Sequence, residues 1–176
     1  MRAQRVRALL MGGQACVFYG AAEFSRDTDF AILADAANLA RLRQALAELL
    51  AEPIAVPPFE AKYLRRGHAI HFRCQHPEAS HMRVDVMSKT RGVAPFAELW
   101  KRRTTLQLPG GEQCDLLSLP DLVQAKKPSG TKKTGCRCAG NWKNCVTRNE
   151  GHWRHRRTGR RLWKAGQDSR SSTQRV

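Results

Sequence analysis

The chain has 176 residues, 31 of them Lys or Arg against 15 Asp or Glu, for a formal net charge of +16. That charge is uneven: residues 1–127 hold 18 basic and 13 acidic side chains and residues 128–176 hold 13 and 2, so a body of +5 precedes a tail of +11. No stretch of about 18 apolar residues exists and no apolar signal core follows the three arginines of the first ten residues, which argues against a membrane span or a secretory leader and for a cytoplasmic protein.

Residues 5–11 form a strand-like run that begins almost at the first methionine. A short helix is expected over 14–19, directly after Gly12-Gly13. Residues 28–33 contain the β-formers Thr28, Phe30 and Ile32 at alternate positions and predict a strand. Residues 38–52 carry Leu39, Leu42, Leu46, Leu49 and Leu50 on one helical stripe, with Asp35 as the cap. Pro53, Pro57 and Pro58 then break the chain, 59–65 predicts a helical turn, and 68–74 with 82–87 predict a hairpin closing around Gln75-His76-Pro77-Glu78. Pro95 begins a short helix through Trp100. Residues 104–108 and 113–117 flank Pro109-Gly110-Gly111 as a second hairpin, and Leu119-Pro120-Asp121 starts a helix running to Lys127. The pattern describes one compact domain over 1–127, α/β in the α+β sense. Cys16, Cys74 and Cys114 read as reduced, buried thiols.

Chemistry concentrates in three carboxylates. Asp27 and Asp29 lie one residue apart in a strand, so both project from the same face, and Asp85 sits between Val84 and Val86. Like charges so placed need a cation, and hard oxygen ligands suit a divalent metal. No basic partner for the three is evident in the sequence. His68, His71, His76 and His81 have the spacing of exposed strand and loop histidines rather than of a zinc set. Arg65-Arg66 and Lys101-Arg102-Arg103 read as solvated faces.

The run L-M-G-G-Q-A-x-x-x-Y-G over 10–20, followed by R-D-T-D-F over 26–30, resembles the DNA polymerase β-like nucleotidyltransferase superfamily. The double glycine with its tyrosine-glycine end is similar to the bacterial stand-alone members, including toxins of abortive-infection type. The resemblance spans roughly residues 6–127. It implies a nucleotidyltransferase fold, a mixed central sheet with flanking helices, whose usual N-terminal helix is missing or truncated here, and a reaction that moves a nucleoside monophosphate from an NTP to an acceptor. Asp27 and Asp29 would hold Mg²⁺ or Mn²⁺, and Asp85 would complete the metal site. Gly12, Gly13 and Gln14 would meet the nucleotide phosphates, as would Lys126 and Lys127 at the end of LPDLVQAKK. Many members place a serine after the first glycine, so phosphate contact here would rest on backbone N–H groups. A tRNA or protein acceptor and a toxin or antitoxin partner are the associations the family implies.

Residues 128–176 lack a sustained hydrophobic period and read as a basic tail of low order. Residues 128–145 can be back-translated so that another frame reads QRDKKDWLPMRRKLEELR, an amphipathic helix similar to the family's continuation, as if one nucleotide had been lost after the Lys127 codon. Cys136, Cys138, Cys145, His152 and His155 fit no strong zinc-finger spacing. Thirteen basic residues with Trp142, Trp153 and Trp163 predict non-specific binding to polyanions. Two alternatives to the enzyme therefore stand: a catalytically degenerate relative, and a basic nucleic-acid-binding protein.

Overall fold

The structure, a computed structural model, describes residues 1–127 apart from Arg91. The expectations for the tail, the altered reading frame among them, lie outside the described residues.

The elements in chain order are β1 (Ala8–Met11), α1 (Gly12–Phe18), β2 (Asp27–Ile32), α2 (Ala36–Glu48), β3 (Ala51–Pro53), α3 (Ala61–Arg66), β4 (Ile70–Cys74), β5 (Arg83–Met87), α4 (Phe96–Lys101), β6 (Thr104–Gln107), β7 (Gln113–Leu116) and α5 (Leu119–Lys126). The seven strands form one sheet in the order β3-β4-β5-β2-β1-β7-β6. β2 runs parallel to β5 and β1 parallel to β7, while the remaining neighbours are antiparallel. The expected mixed sheet with flanking helices is therefore present.

Alternation along the strands sends side chains to two separate cores. Ala8, Ile32, Ile70, Phe72, Val84 and Val86 pack with Leu39, Leu42 and Leu46 of α2 and Leu64 of α3. Leu9, Met11, Ala31 and Leu116 pack on the other side with α1, with Phe96 and Leu99 of α4 and with Leu122 of α5. That second core covers only part of its face. Over β5, β4 and β3 the same face carries Arg83, Asp85, His71, Arg73 and Glu52, polar residues that alternate with the buried ones.

Helix α2 is anchored at its start. The Asp35 carboxylate accepts from the Asn38 N–H at 2.6 Å, as the cap reading expected. The sequence did not single out Asn38, which is fully buried and ties the helix to two strand ends. Its amide donates to the carbonyls of Arg7 at 3.1 Å and Leu33 at 2.8 Å, and its Oδ1 accepts from the Arg7 N–H at 2.7 Å.

The helix ends earlier than its leucine stripe suggests. Leu49 is its C-cap, Leu50 takes a left-handed φ of 48° and is 56% exposed, and Ala51–Pro53 turn back as β3 against β4. Pro53 could not continue a helix, and it is tolerated in β3 because that strand lies at the sheet edge. The first strand is also shorter than expected: Arg5 sits at φ 51° in a turn, and pairing begins at Ala8. The loop between β4 and β5 holds a 3₁₀ turn at Pro77–Ala79 and is longer than a four-residue turn.

Lys101-Arg102-Arg103 is not simply a solvated face. Arg102 bridges Asp121 at 2.8 Å, and Arg103 reaches the buried Asp115 at 3.2 Å. Asp115 also accepts from Arg2 and from the Thr105 hydroxyl, which fastens the N-terminal turn to β7. Burial pushes the Asp115 carboxyl up, but the Thr105 and Arg2 hydrogen bonds and the charges of Arg2 and Arg103 hold it below its ordinary 3.8. A depressed carboxyl contributes stability that is present above its unfolded value and lost as pH falls through the folded one. Acid unfolding of the wild type should accordingly steepen below about pH 4, and Asp115→Asn should flatten that limb while costing about 2 kcal/mol at neutral pH in urea titration.

Candidate active site

β1 delivers the chain directly into α1, with no loop between Met11 and Gly12. Gly12 takes a φ of 67°, a left-handed conformation that glycine adopts without penalty. It is also pressed against the neighbouring strand: a Cβ at Gly12 would overlap the Asp29 Oδ2 and lie 2.6 Å from its Cγ. At Gly13 a Cβ would collide with the Ser25 hydroxyl, which donates to the Asp27 carbonyl at 3.1 Å. The two glycines therefore let the start of α1 lie against the carboxylate strand. Gln14 follows in α1, half-buried.

Asp27 and Asp29 occupy β2 as expected and face the same way. The decisive pairing is with β5: in the parallel register Asp29 stands opposite Asp85 and Asp27 opposite Arg83. All three carboxylates thus stand on one face of β2 and β5. Burial pushes the Asp29 carboxyl up, and the charges of Asp85 and Asp27 push it further, against the weaker pull of Lys126 and of the Gly13 N–H that hydrogen-bonds to it. Among the described residues Asp29 makes no side-chain ion pair.

Asp85 is differently placed. It is buried, and contrary to the reading that found no basic partner, it is engaged from two sides. Arg83 Nε donates to Asp85 Oδ1 at 3.1 Å and Nη2 to Oδ2 at 3.3 Å. His71, opposite Asp85 on β4, brings Nδ1 to 2.8 Å from the same Oδ1. An ionised carboxylate only accepts, so at that distance Nδ1 carries the proton, and the 3.2 Å approach of Arg83 Nη2 to Nδ1 is a contact rather than a hydrogen bond. Arg83 Nε also lies 4.0 Å from Asp27. His71 is therefore half-buried against the site rather than simply solvated.

Lys126 stands in the last turn of α5, close enough for its charge to be felt by Asp29. Lys127 is the exposed C-cap of that helix. Helix α5 is set by Ser118, whose hydroxyl accepts from the Asp121 N–H and donates to its carboxylate at 2.6 Å.

The donor chemistry fits a divalent cation: three hard oxygen donors share one face, and the half-buried Asp29 is raised by burial and by its two neighbours against the weaker pull of Lys126 and the Gly13 N–H. The carboxylates are nevertheless not drawn together. Among the described residues no group of three His, Cys, Asp or Glu side chains is arranged to hold a metal ion, and a guanidinium stands between Asp27 and Asp85.

Sequence reading missed Arg83, His71 and Ser25. Arg83 was accessible in principle, since it lies two residues before Asp85 and must share its face. His71 and Ser25 depend on strand register and loop path. No family model and no curated protein matches the chain.

Proposed function

We propose that the domain is a nucleotidyltransferase of polymerase β-like fold that transfers a nucleoside monophosphate from an NTP to an acceptor. The observation that carries this reading is the in-register meeting of Asp29 and Asp85 on β2 and β5, with Asp27 on the same face and the double glycine against Asp29. Mg²⁺ or Mn²⁺ held by Asp27, Asp29 and Asp85 would supply the positive charge that a triphosphate and its departing pyrophosphate require. The chain's own residues do the rest. Gly13 orients Asp29 through its N–H, and the bare backbone at Gly12 leaves room for that carboxylate. Lys126 adds positive charge on the side where the phosphates would enter. Asp85, once released from Arg83, is the base nearest to an acceptor hydroxyl arriving over β5.

A second reading, a catalytically silent relative, draws support from the engagement of Asp85 by Arg83 and His71. Labelling separates the two. With Mg²⁺ or Mn²⁺ and each of the four NTPs labelled in the α-phosphate, the wild type should label tRNA, a protein or itself, and Asp85→Asn should lose that labelling by about a thousandfold. Equal labelling by wild type and Asp85→Asn would remove the enzyme reading.

A further inference from the structure

We propose that Arg83 is a built-in counter-ion: it neutralises Asp85 and Asp27 in the metal-free protein, and it must leave them before the three carboxylates can share a divalent cation. The inference rests on the metal-dependent reading above, and three observations carry it.

The first is position. Arg83 is the residue opposite Asp27 in the β2–β5 register and lies on the same face of β5 as Asp85, so its guanidinium falls between two of the three carboxylates. The second is geometry. The fork makes two hydrogen bonds to Asp85, one to each oxygen, and these occupy lone pairs that a cation would need. The third is charge. One guanidinium among three carboxylates leaves the cluster anionic, with Arg83 against Asp27 and Asp85 and no ion pair at Asp29 among the described residues.

A divalent cation shared by the carboxylates and a guanidinium between two of them would repel each other a few ångströms apart. The protein therefore has two arrangements of the same carboxylates. In one, Arg83 closes the site and Asp85 is fixed. In the other, Arg83 is displaced towards solvent, where its side chain is already 40% exposed and a triphosphate would receive it. Arg83 is in these terms a positioning residue whose release is coupled to cation binding.

The test uses the full chain and Mn²⁺ alone, titrated by calorimetry or by the loss of the free-ion electron paramagnetic resonance signal. Arg83→Gln should bind Mn²⁺ about tenfold tighter than the wild type or better, because a competing charge is removed, and Arg83→Lys should stay near wild type. Unchanged or weaker binding by a folded Arg83→Gln protein overturns the proposal, since a residue that merely readies Asp85 for metal would weaken binding when lost. A measurement on the unaltered protein guards against a variant that fails to fold. The Arg83 Nε–H resonance should be protected from solvent exchange without metal and lose that protection as Mg²⁺ is added; protection that persists at saturating Mg²⁺ also overturns it. Asp29→Asn serves as the reference. If wild type and Asp29→Asn bind Mn²⁺ equally, or neither binds, the metal-dependent reading fails and this inference with it; if binding needs Asp29 and ignores Arg83, this inference alone fails.

Discussion

Gly12→Ala is expected to destabilise the domain by about 3 kcal/mol in urea titration, most of it from one collision rather than from backbone strain. The left-handed φ of 67° costs an L-residue about 1 kcal/mol. The added Cβ also meets the Asp29 carboxylate, and Asp29 cannot retreat as a unit because its backbone is paired with Met11 on one side and Asp85 on the other. The side chain must rotate away and so loses the Gly13 N–H. Gly111→Ala is the control. Gly111 has a φ of 90° but nothing within 4 Å of its would-be Cβ, so it should lose only about 1 kcal/mol. A double-mutant cycle isolates the collision: in an Asp29→Ala background the Gly12→Ala cost should fall to about that of Gly111→Ala. Costs that simply add would show that Gly12 and Asp29 do not compete for space.

Asp29→Asn should raise the melting temperature of the metal-free protein while abolishing any further rise on adding Mg²⁺ or Mn²⁺ with NTP. The sign follows from the direction of the shift. Burial, Asp85 and Asp27 hold the folded Asp29 carboxyl above its ordinary 3.8, so its contribution is fully present below that value and is lost as pH rises through the folded value. At neutral pH the carboxyl with a raised folded value is thus a liability in the metal-free protein, and an amide of the same shape removes it. A ligand that binds only the folded state stabilises by mass action, and that gain needs the charge. Differential scanning fluorimetry with and without cation and NTP reads both effects. A metal-free melting temperature that falls, or a ligand-induced rise that survives, would contradict the assignment.

Much of the framework was legible because it depends on short-range rules. The period of two in residues 27–32 put Asp27 and Asp29 on one face, and the β-formers Thr28, Phe30 and Ile32 marked the strand. Asp35 capped α2, and Leu119-Pro120-Asp121 opened α5, because helix starts recruit capping side chains and proline locally. The leucine stripe located α2 but not its end. Leu49 and Leu50 continue the apolar pattern, yet pairing of Ala51–Pro53 with β4 drew the chain into a strand and left Leu50 outside.

What sequence alone determined is therefore which residues share a face, a consequence of backbone geometry within one element. Which faces meet was decided only by the tertiary structure. The β4–β5 loop is longer than a four-residue turn, and loop length sets hairpin register, so His71 came to stand opposite Asp85. Pairing of β2 with β5, strands far apart in the chain, put Arg83 between Asp27 and Asp85, and close packing of α1 on β2 turned the double glycine towards Asp29. Those contacts are set by the burial of two separate cores on the two sides of one sheet, a condition that no local run of residues contains.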